Sequence, residues 1–439
     1  MPVAKQKVKV LIAGLGPGGL AAAIALGQAG VAPQELVLLE AQDVPGRKIL
    51  ASGNGRCNLG NLNPLAENYH SSQPELARAL LQRLDSTFSL DFWRRAGIAI
   101  KADEAGRLYP QSEEAAAVHR LLLRRVSHFG YKIETNKAVK AIAPSEKGYL
   151  LSCEDGSQWE AENVILAIGS PAGADLGATD DAELLFAKLG LASVEERPAL
   201  TQILLKENAF LKRAQGSRFK GSAQILASQA EVRGEFLFSQ HALSGIAALD
   251  LSNLLANTPG RFKHGAEESD FYFSRPSHLE LDFLTDYTEP ELLKFLENKQ
   301  AAYNKDYRSS AEAEPGCLSY LLDSLVNAKQ VKAYLLAERQ ASLLEARECF
   351  SKAQLAKIAH TLKHFPLTAI GLRSYKFAQS ARGGLSLVEL DKNLQVKKYP
   401  GLYAVGECLD LTGNCGGYNL YFAFASGYLA GQAAKAYLS

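Results

Sequence analysis

Residues 8–40 read VKVLIAGLGPGGLAAAIALGQAGVAPQELVLLE, and this stretch decides the fold. It opens with a short apolar run, VKVLIA, of the kind that forms a buried strand in a parallel sheet. A glycine-rich turn follows, then an alanine-rich run that ends at Gly30, and then a second apolar run that ends at Glu40. This order predicts a strand, a turn, a helix and a second strand in succession.

Three glycines in the turn have the spacing of a dinucleotide-binding motif. Gly14 permits a tight turn, Gly16 lets the backbone approach a pyrophosphate, and Gly19 lets the helix pack closely on the strand. The start of the helix offers N–H groups and the positive end of its dipole to phosphates. Glu40 is placed to accept both ribose hydroxyls, which disfavours a 2′-phosphate. The stretch therefore predicts a Rossmann-type dinucleotide site.

Two distant segments favour FAD over NAD. Residues 162–169, ENVILAIG, end at Gly169 and resemble the ATG turn of flavoproteins with two dinucleotide-binding domains. Residues 400–407, PGLYAVGE, resemble the strand of those proteins that ends in an acid bound to the ribityl chain, here Glu407 after Gly406. The same likeness implies a backbone contact from Val139 to the adenine.

Residues 46–61 read GRKILASGNGRCNLGN and have neither helical nor strand periodicity. Four glycines and three asparagines make the segment polar and flexible. We expect an anion with many acceptor oxygens to supply the free energy that orders it.

Composition limits the class of protein. The 439 residues exceed one usual hydrophobic core, so two or three structural units are expected. A content of 47% hydrophobic and 22% charged residues is typical of a globular protein, and a net charge of +1 does not favour a strongly basic nucleic-acid binder. Six cysteines without a CxxC pair, among them Cys349, indicate reduced thiols. With no cleavable leader or membrane-length apolar run, a cytoplasmic location is expected.

Three pieces of the chain resemble the BaiN/YhiN-like family of FAD-dependent oxidoreductases. They are GRKILASGNGRCN (residues 46–58), FLFSQHALSGIAALDLS (residues 236–252) and PGLYAVGECLDLTGNCGGYNL (residues 400–420). The resemblance implies an α/β fold in which both chain ends, residues 1–196 and 385–439, build a Rossmann-type FAD domain. It also implies an inserted β-barrel-like domain at residues 197–285 and 364–384, and a small helical domain at residues 286–363.

The resemblance also implies how FAD is held. Arg47 and Lys48 would face the pyrophosphate, and the turn that contains Ser52, Gly53, Arg56 and Asn58 would lie along the isoalloxazine. A helix that starts near Gly417, Tyr418 and Asn419 would direct its N–H groups at the pyrimidine edge of the flavin, where negative charge develops on reduction.

The chemistry implied is reduction of an activated C=C bond, in a steroid-like enone or in a uracil ring of large-subunit ribosomal RNA, where the enzyme would act as a dihydrouridine synthase. The candidate proton donors are Tyr418, Tyr421, Cys57 and His241, although Cys57 is better explained as an inert thiol and His241 as a structural residue. A second GxGxxG motif is absent, so NADH or NADPH would bind transiently, or a protein would donate the electrons. No metal site is expected.

Two features of the sequence distinguish the RNA hypothesis from the enone hypothesis. A third hypothesis is that the protein is a non-catalytic flavin-bound scaffold. A basic cluster would favour RNA; it consists of Lys206, Lys212, Arg213, Arg218 and Lys220. The aromatic residues Tyr421, Phe422 and Phe424 would instead close a pocket for a small apolar enone.

Overall fold

A computed structural model describes residues 5–88, 90–262, 269–306, 317–327, 329–330 and 350–438. The chain divides into two compact units. The first unit comprises Met1–Pro198 and Ala378–Ser439, and the second comprises Ala199–Phe377.

The first unit contains strands β1 to β11 and β19 to β21. They are β1 (Gln6–Ala13), β2 (Leu36–Leu39), β3 (Gly60–Asn61), β4 (Tyr69–His70), β5 (Ile100–Ala102), β6 (Arg107–Pro110), β7 (Lys132–Glu134), β8 (Val139–Ser145), β9 (Gly148–Cys153), β10 (Gln158–Leu166), β11 (Ser193–Ala199), β19 (Ser380–Leu385), β20 (Leu402–Ala404) and β21 (Thr412–Gly413). Its helices are α1 (Pro17–Gln28), α2 (Arg47–Ala51), α3 (Pro74–Thr87), α4 (Asp91–Arg95), α5 (Ala115–His128), α6 (Asp181–Leu189) and α12 (Tyr418–Tyr437).

Five parallel strands form the centre of this unit in the order β7-β2-β1-β10-β20. Strands β8 and β9 continue the sheet beyond β10 in antiparallel fashion. This is the strand order of a Rossmann-type fold, so the predicted fold class is confirmed. Helix α12 packs against α1 so tightly that a Cβ on Gly427 would lie 2.0 Å from the carbonyl oxygen of Gly18.

The second unit contains a closed barrel. Its strands are β12 (Ile203–Leu205), β13 (Arg218–Ile225), β14 (Glu231–Ser239), β15 (Ala242–Ser244), β16 (Gly260–Phe262), β17 (Phe271–Asp282) and β18 (Phe365–Leu372). Six of them pair in the order β13-β14-β15-β12-β18-β17, and β17 pairs with β13 to close the ring. Side chains such as Phe236, Phe238 and Phe271 fill the interior, which confirms the predicted barrel.

Among its described residues, the second unit has five helices: α7 (Ala209–Ala214), α8 (Ile246–Leu255), α9 (Glu289–Asp306), α10 (Cys317–Leu322) and α11 (Lys352–Lys363). The last three share a separate apolar cluster that includes Leu292, Leu321 and Leu355. The predicted helical domain also covers residues 307–316, 328 and 331–349, with Cys349, which lie outside the described residues. In the described part of the chain, no helix is both long and apolar enough to cross a membrane.

Candidate functional site

The glycine-rich turn joins β1 to α1 at the carboxyl edge of the parallel sheet. Gly14 has a φ of +91°, and a Cβ built on it would lie 2.4 Å from the carbonyl oxygen of Ala167. A Cβ on Gly19 would lie 1.9 Å from the carbonyl oxygen of Gly14. The fold itself therefore requires both glycines. A Cβ on Gly16 would meet no described atom within 4 Å, so this position is open to a ligand.

Glu40 directly follows β2, beside the turn, and is buried. Its Oε2 accepts a hydrogen bond from the Leu15 N–H at 2.8 Å, and its Oε1 accepts one from the Gln42 N–H at 2.9 Å. Burial raises the pKa of this carboxyl above its ordinary value. The Lys137 N–H donates to the Glu40 carbonyl at 2.8 Å, two residues before Val139 opens β8. Glu40 and Val139 thus approach the same corner of the sheet.

The two distant segments reach the same edge of the sheet. Strand β10 pairs with β1, and β20 pairs with β10, all in parallel. Gly169 and Gly406 follow these strands with φ values of +77° and +74°, which favour glycine. Glu407 comes directly after Gly406, so the structure brings this acid to the carboxyl edge where the glycine turn lies.

Lys48 and Glu407 form an ion pair at this edge, with 2.8 Å between Nζ and Oε2. The Ser170 hydroxyl donates to the same carboxylate oxygen at 3.4 Å. The neighbouring Arg47 guanidinium donates to Oε1 of Gln42 at 3.3 Å. The lysine and the acid that were predicted to face different parts of FAD therefore contact each other.

Residues 46–61 were expected to be neither helix nor strand, but they contain the short helix α2 and end in β3. The rest of this loop is shaped by its own polar groups. The Ser52 hydroxyl donates to the Ile49 carbonyl at 2.7 Å, and Gly53 takes a left-handed conformation with a φ of +58°. Arg56 is exposed, and its guanidinium lies 3.7 Å from the Glu113 carboxylate. Ser52 and Gly53 thus form the turn, whereas Arg56 has a partner on the surface.

The end of this loop is joined to the turn that precedes α12. With its amide oriented to satisfy both neighbours, the Asn58 side chain accepts a hydrogen bond from the Gly417 N–H at 3.0 Å and donates to the Gly60 carbonyl at 2.9 Å. The Asn61 amide donates to the Gly416 carbonyl at 3.3 Å. Segments about 350 residues apart in the sequence are thereby held together.

Helix α12 begins at Tyr418, directly after Gly417, whose φ is +94°. Its first N–H groups have no acceptor within the helix and carry the positive end of the dipole. The Asn419 side chain is engaged with Gly413, accepting from its N–H and donating to its carbonyl, both at 2.8 Å. Tyr418 is partly exposed, and its carbonyl accepts from the Tyr69 hydroxyl at 3.0 Å.

The aromatic residues that follow are buried. The Tyr421 hydroxyl donates to the exposed Asp85 carboxylate, and burial together with this carboxylate raises the pKa of Tyr421. Phe422 and Phe424 are 1% and 0% exposed and belong to the core of the first unit. The hypothesis that these two phenylalanines close a substrate pocket is therefore wrong, because a fully packed side chain has no surface to offer a ligand.

Cys57 and His241 lie in different units. Cys57 is 0% exposed, and burial raises the pKa of its thiol to about 11. It is a neutral thiol at physiological pH, which favours the inert role. His241 occupies the hairpin between β14 and β15 with a φ of +60°, and its Nδ1 lies 3.1 Å from Oε1 of Glu207. A catalytic role for His241 stays a prediction.

Glu196 is a buried acid that the sequence patterns did not single out. It lies on β11 at 5% exposure, and neither carboxylate oxygen has a hydrogen-bond partner among the described residues. Burial, then the charges of Glu183, Glu407 and Asp180, raise its pKa to about 8, and Lys48 opposes the shift. The alternation of Val194, Glu196 and Pro198 along β11 is a signal that could have placed it on the inner face.

The residues at this edge fit an FAD. Gly16 leaves open space at the start of α1, where a pyrophosphate binds in this fold. Glu40 and the Lys48–Glu407 pair would offer polar groups to ribose and ribityl hydroxyls, and the start of α12 would offer N–H groups to a flavin ring bound there. The structure places all four segments in one unit.

Comparison with known proteins agrees with this architecture. The model of the family described as HI0933-like protein Rossmann domain matches residues 8–433. A 3-dehydro-bile acid delta(4,6)-reductase of Clostridium scindens is 31% identical over 429 residues, which cover 97% of this chain and 98% of that protein. Ribosomal RNA dihydrouridine synthases of Haemophilus influenzae and Escherichia coli are each 26% identical, covering 95% and 97% of this chain and 96% and 98% of those proteins.

Proposed function

The chain belongs to the HI0933-like Rossmann-domain family of FAD-dependent oxidoreductases, and we propose that it reduces an activated C=C bond of a small conjugated carbonyl compound. The observation that carries this proposal is the full-length match, at 31% identity, to a bile acid delta(4,6)-reductase. Bound FAD, once reduced by a separate electron donor, would supply a hydride, which a C=C bond conjugated to a carbonyl accepts at its β-carbon.

The chain's own residues would bind and orient the cofactor. Gly16 admits the pyrophosphate to the start of α1, and Glu40 accepts hydrogen bonds from the ribose hydroxyls. Lys48, held by Glu407 at 2.8 Å, adds positive charge near the phosphates. The N–H groups at the start of α12 stabilise the negative charge that develops on the pyrimidine edge.

Reduction of the enone also needs a proton at the α-carbon, and Tyr418 is the candidate that the geometry favours. It is partly exposed and opens α12 at the proposed flavin edge. Cys57 and Tyr421 are buried, and both have raised pKa values. Tyr418 therefore combines access to solvent with a place at the proposed flavin edge.

The ribosomal RNA alternative has weaker support from the surface. Lys206, Lys212, Arg213, Arg218 and Lys220 are all exposed, as an RNA-binding cluster requires. Acids are interspersed among them, however: Lys212 lies 3.5 Å from the Glu207 carboxylate, and Arg218 lies 3.0 Å from that of Glu235. Each such pair reduces the positive charge available to phosphates.

The reductant is proposed to be NADH or NADPH that binds transiently.

The proposal is tested with FAD-loaded protein, photoreduced under anaerobic conditions and mixed in a stopped-flow instrument. One arm contains a 3-oxo steroid with conjugated C=C bonds, a second contains the saturated 3-oxo steroid as the matched control, and a third contains an unmodified large-subunit ribosomal RNA transcript. We expect the oxidised flavin spectrum to return rapidly with the conjugated steroid alone.

Return with the RNA alone would overturn the proposal in favour of the dihydrouridine-forming activity. Return with the saturated steroid would show that the C=C bond is not the acceptor. If oxygen reoxidised the flavin but none of the three substrates did, the proposed reaction would be wrong. The result would favour a non-catalytic flavin-bound scaffold.

A further inference from the structure

A cluster of metal-ligating side chains lies in the second unit, separate from the residues proposed to bind FAD. Glu289 begins α9, and His360 lies in the last turn of α11. His364 follows α11 directly, four residues after His360, and Glu280 belongs to the neighbouring strand β17. Three of these residues, Glu289, His360 and His364, have ligand atoms that all lie within 4.8 Å of one another.

The distances from Glu289 to the two histidines are longer than those of strong hydrogen bonds. Nδ1 of His360 and Nε2 of His364 each lie 3.3 Å from the same oxygen, Oε2 of Glu289. A charge-assisted N–H···O bond is about 2.7–2.9 Å long. Two ligands of one tetrahedral zinc ion, each bound at about 2.0–2.1 Å, are separated by about 3.3–3.4 Å. The measured separations therefore match two edges of a tetrahedral coordination shell.

The hydrogen bond made by Nδ1 of His364 leaves Nε2 as the ring atom that faces the Glu289 carboxylate. Its Nδ1 lies 2.8 Å from Oε1 of Glu280, so it donates a hydrogen to that carboxylate. In the neutral ring, Nε2 then carries a lone pair and faces an oxygen of Glu289 that also carries lone pairs. Either a second ring proton or a metal ion between the two atoms satisfies both lone pairs. A carboxylate behind the imidazole is also the usual arrangement that orients a metal-bound histidine.

We propose that Glu289, His360 and His364 bind a divalent transition-metal ion, with zinc as the best match. Two imidazole nitrogens and one carboxylate suit zinc, nickel or copper better than magnesium or calcium. The His360 side chain is 62% exposed, so an ion can enter from solvent and draw this ring inward. The ion would tie the start of α9 to the end of α11 and, through Glu280, to β17. Its role would be to stabilise the second unit.

The test uses the untagged, FAD-loaded full chain, stripped with EDTA and dialysed. Zinc is titrated by calorimetry, and cobalt is titrated in parallel because its visible absorption reports tetrahedral coordination. The variants are His360→Ala, His364→Ala and Glu289→Gln, with His128→Ala as the matched control, since His128 is an exposed helical histidine in the first unit. We expect one ion per chain, at least about tenfold weaker binding in each of the three cluster variants and unchanged binding in the control.

A thermal readout keeps the test independent of activity. Zinc should raise the melting temperature of the wild type and of His128→Ala, but not that of His360→Ala. Because His360 is mostly exposed, metal-free His360→Ala should have the same melting temperature as the metal-free wild type. That result would show that the variant is folded. Absence of saturable binding, or equal affinity in the wild type and both histidine variants, would overturn the proposal.

Discussion

Nζ of Lys48 lies 2.8 Å from Oε2 of Glu407, although 359 positions separate the two residues in the sequence. The pair links the loop after β2 to the end of β20 at the carboxyl edge of the sheet. Both side chains are mostly buried, at 28% and 20% exposure, so water screens their interaction less than on an open surface. Lys48, the positive partner, lies in the loop of residues 46–61, which was expected to be ordered by a bound anion.

Lys48→Met should weaken FAD binding by tenfold or more. The substitution removes a cation near the proposed phosphate position and leaves the Glu407 carboxylate without its partner, and a charged hydrogen bond contributes about 1.5–3 kcal/mol. The measurement is a titration of apoprotein with FAD, followed by flavin fluorescence. Lys7→Met is the control, because Lys7 is 73% exposed and pairs with Glu160 on the opposite end of the strands. Equal affinities for both variants would show that Lys48 does not contact the cofactor.

Gly16→Val and Gly19→Ala should separate cofactor binding from folding. The backbone at Gly16 is extended, with a φ of −68°, and a Cβ there meets no described atom within 4 Å, so Gly16→Val should fold and melt like the wild-type apoprotein. It should not bind FAD, because the side chain occupies the space of the pyrophosphate. Stoichiometric flavin in the purified variant would refute this placement of the cofactor.

Gly19→Ala, in contrast to Gly16→Val, is expected to destabilise the fold itself. Its Cβ would lie 1.9 Å from the carbonyl oxygen of Gly14, so the helix must move away from the strand. We expect the apoprotein to lose a few kcal/mol of stability, as for other overpacked positions, where about 1–3 kcal/mol is typical. Denaturant unfolding of both apoproteins measures the difference. A variant as stable as the wild type would contradict the close packing.

The part of the site that sequence reasoning predicted consists of local motifs. The turn that contains Gly14 and Gly16 follows from strand and helix patterns within about 30 residues. Sequence reasoning missed Glu196 because part of its environment comes from residues far away in the sequence, such as Lys48 and Glu407. The pairing of Arg218 with Glu235 was equally invisible, since it depends on the register between β13 and β14.

Glu196→Gln should remove a pH dependence of stability. In the folded protein the Glu196 pKa is about 8, against an ordinary 4.5, so the folded state keeps a proton that the unfolded state loses. This contribution to stability is complete below pH 4.5 and is lost as the pH rises to about 8. Each unit of pKa corresponds to about 1.4 kcal/mol, so the effect is of the order of a few kcal/mol.

The measurement is the free energy of unfolding of the wild type and Glu196→Gln between pH 5 and pH 8.5. The glutamine does not titrate, so its advantage over the wild type should grow with pH and level off above about 8. Glu104→Gln, which removes an exposed carboxylate that is not among the groups that shift the Glu196 pKa, is the matched control and should show no such trend. Parallel curves for the wild type and Glu196→Gln would show that Glu196 is ionised in the fold.

Cys57 should resist alkylation in the folded protein. The thiol is fully buried and its pKa is raised to about 11, so at pH 8 almost none of it is the reactive thiolate. Treatment with iodoacetamide and mass spectrometry of the peptides should show modification of the partly exposed Cys415 before that of Cys57. Rapid modification of Cys57 in folded protein would instead indicate an activated thiol.

Tyr418→Phe should slow reduction of the enone without loss of FAD. If Tyr418 supplies the proton at the α-carbon, removal of its hydroxyl should reduce the rate of flavin reoxidation by about 100-fold or more, the range expected for a general acid. Tyr421→Phe should have a much smaller effect, because its hydroxyl is buried and bound to Asp85. Tyr428→Phe removes a hydroxyl farther along α12, bound to Gln28 at 3.2 Å, and serves as the control. If Tyr421→Phe reoxidised the flavin much more slowly while Tyr418→Phe kept a normal rate, the proton donor would be the Tyr421–Asp85 pair instead. The exposed Asp85 carboxylate of that pair reaches solvent.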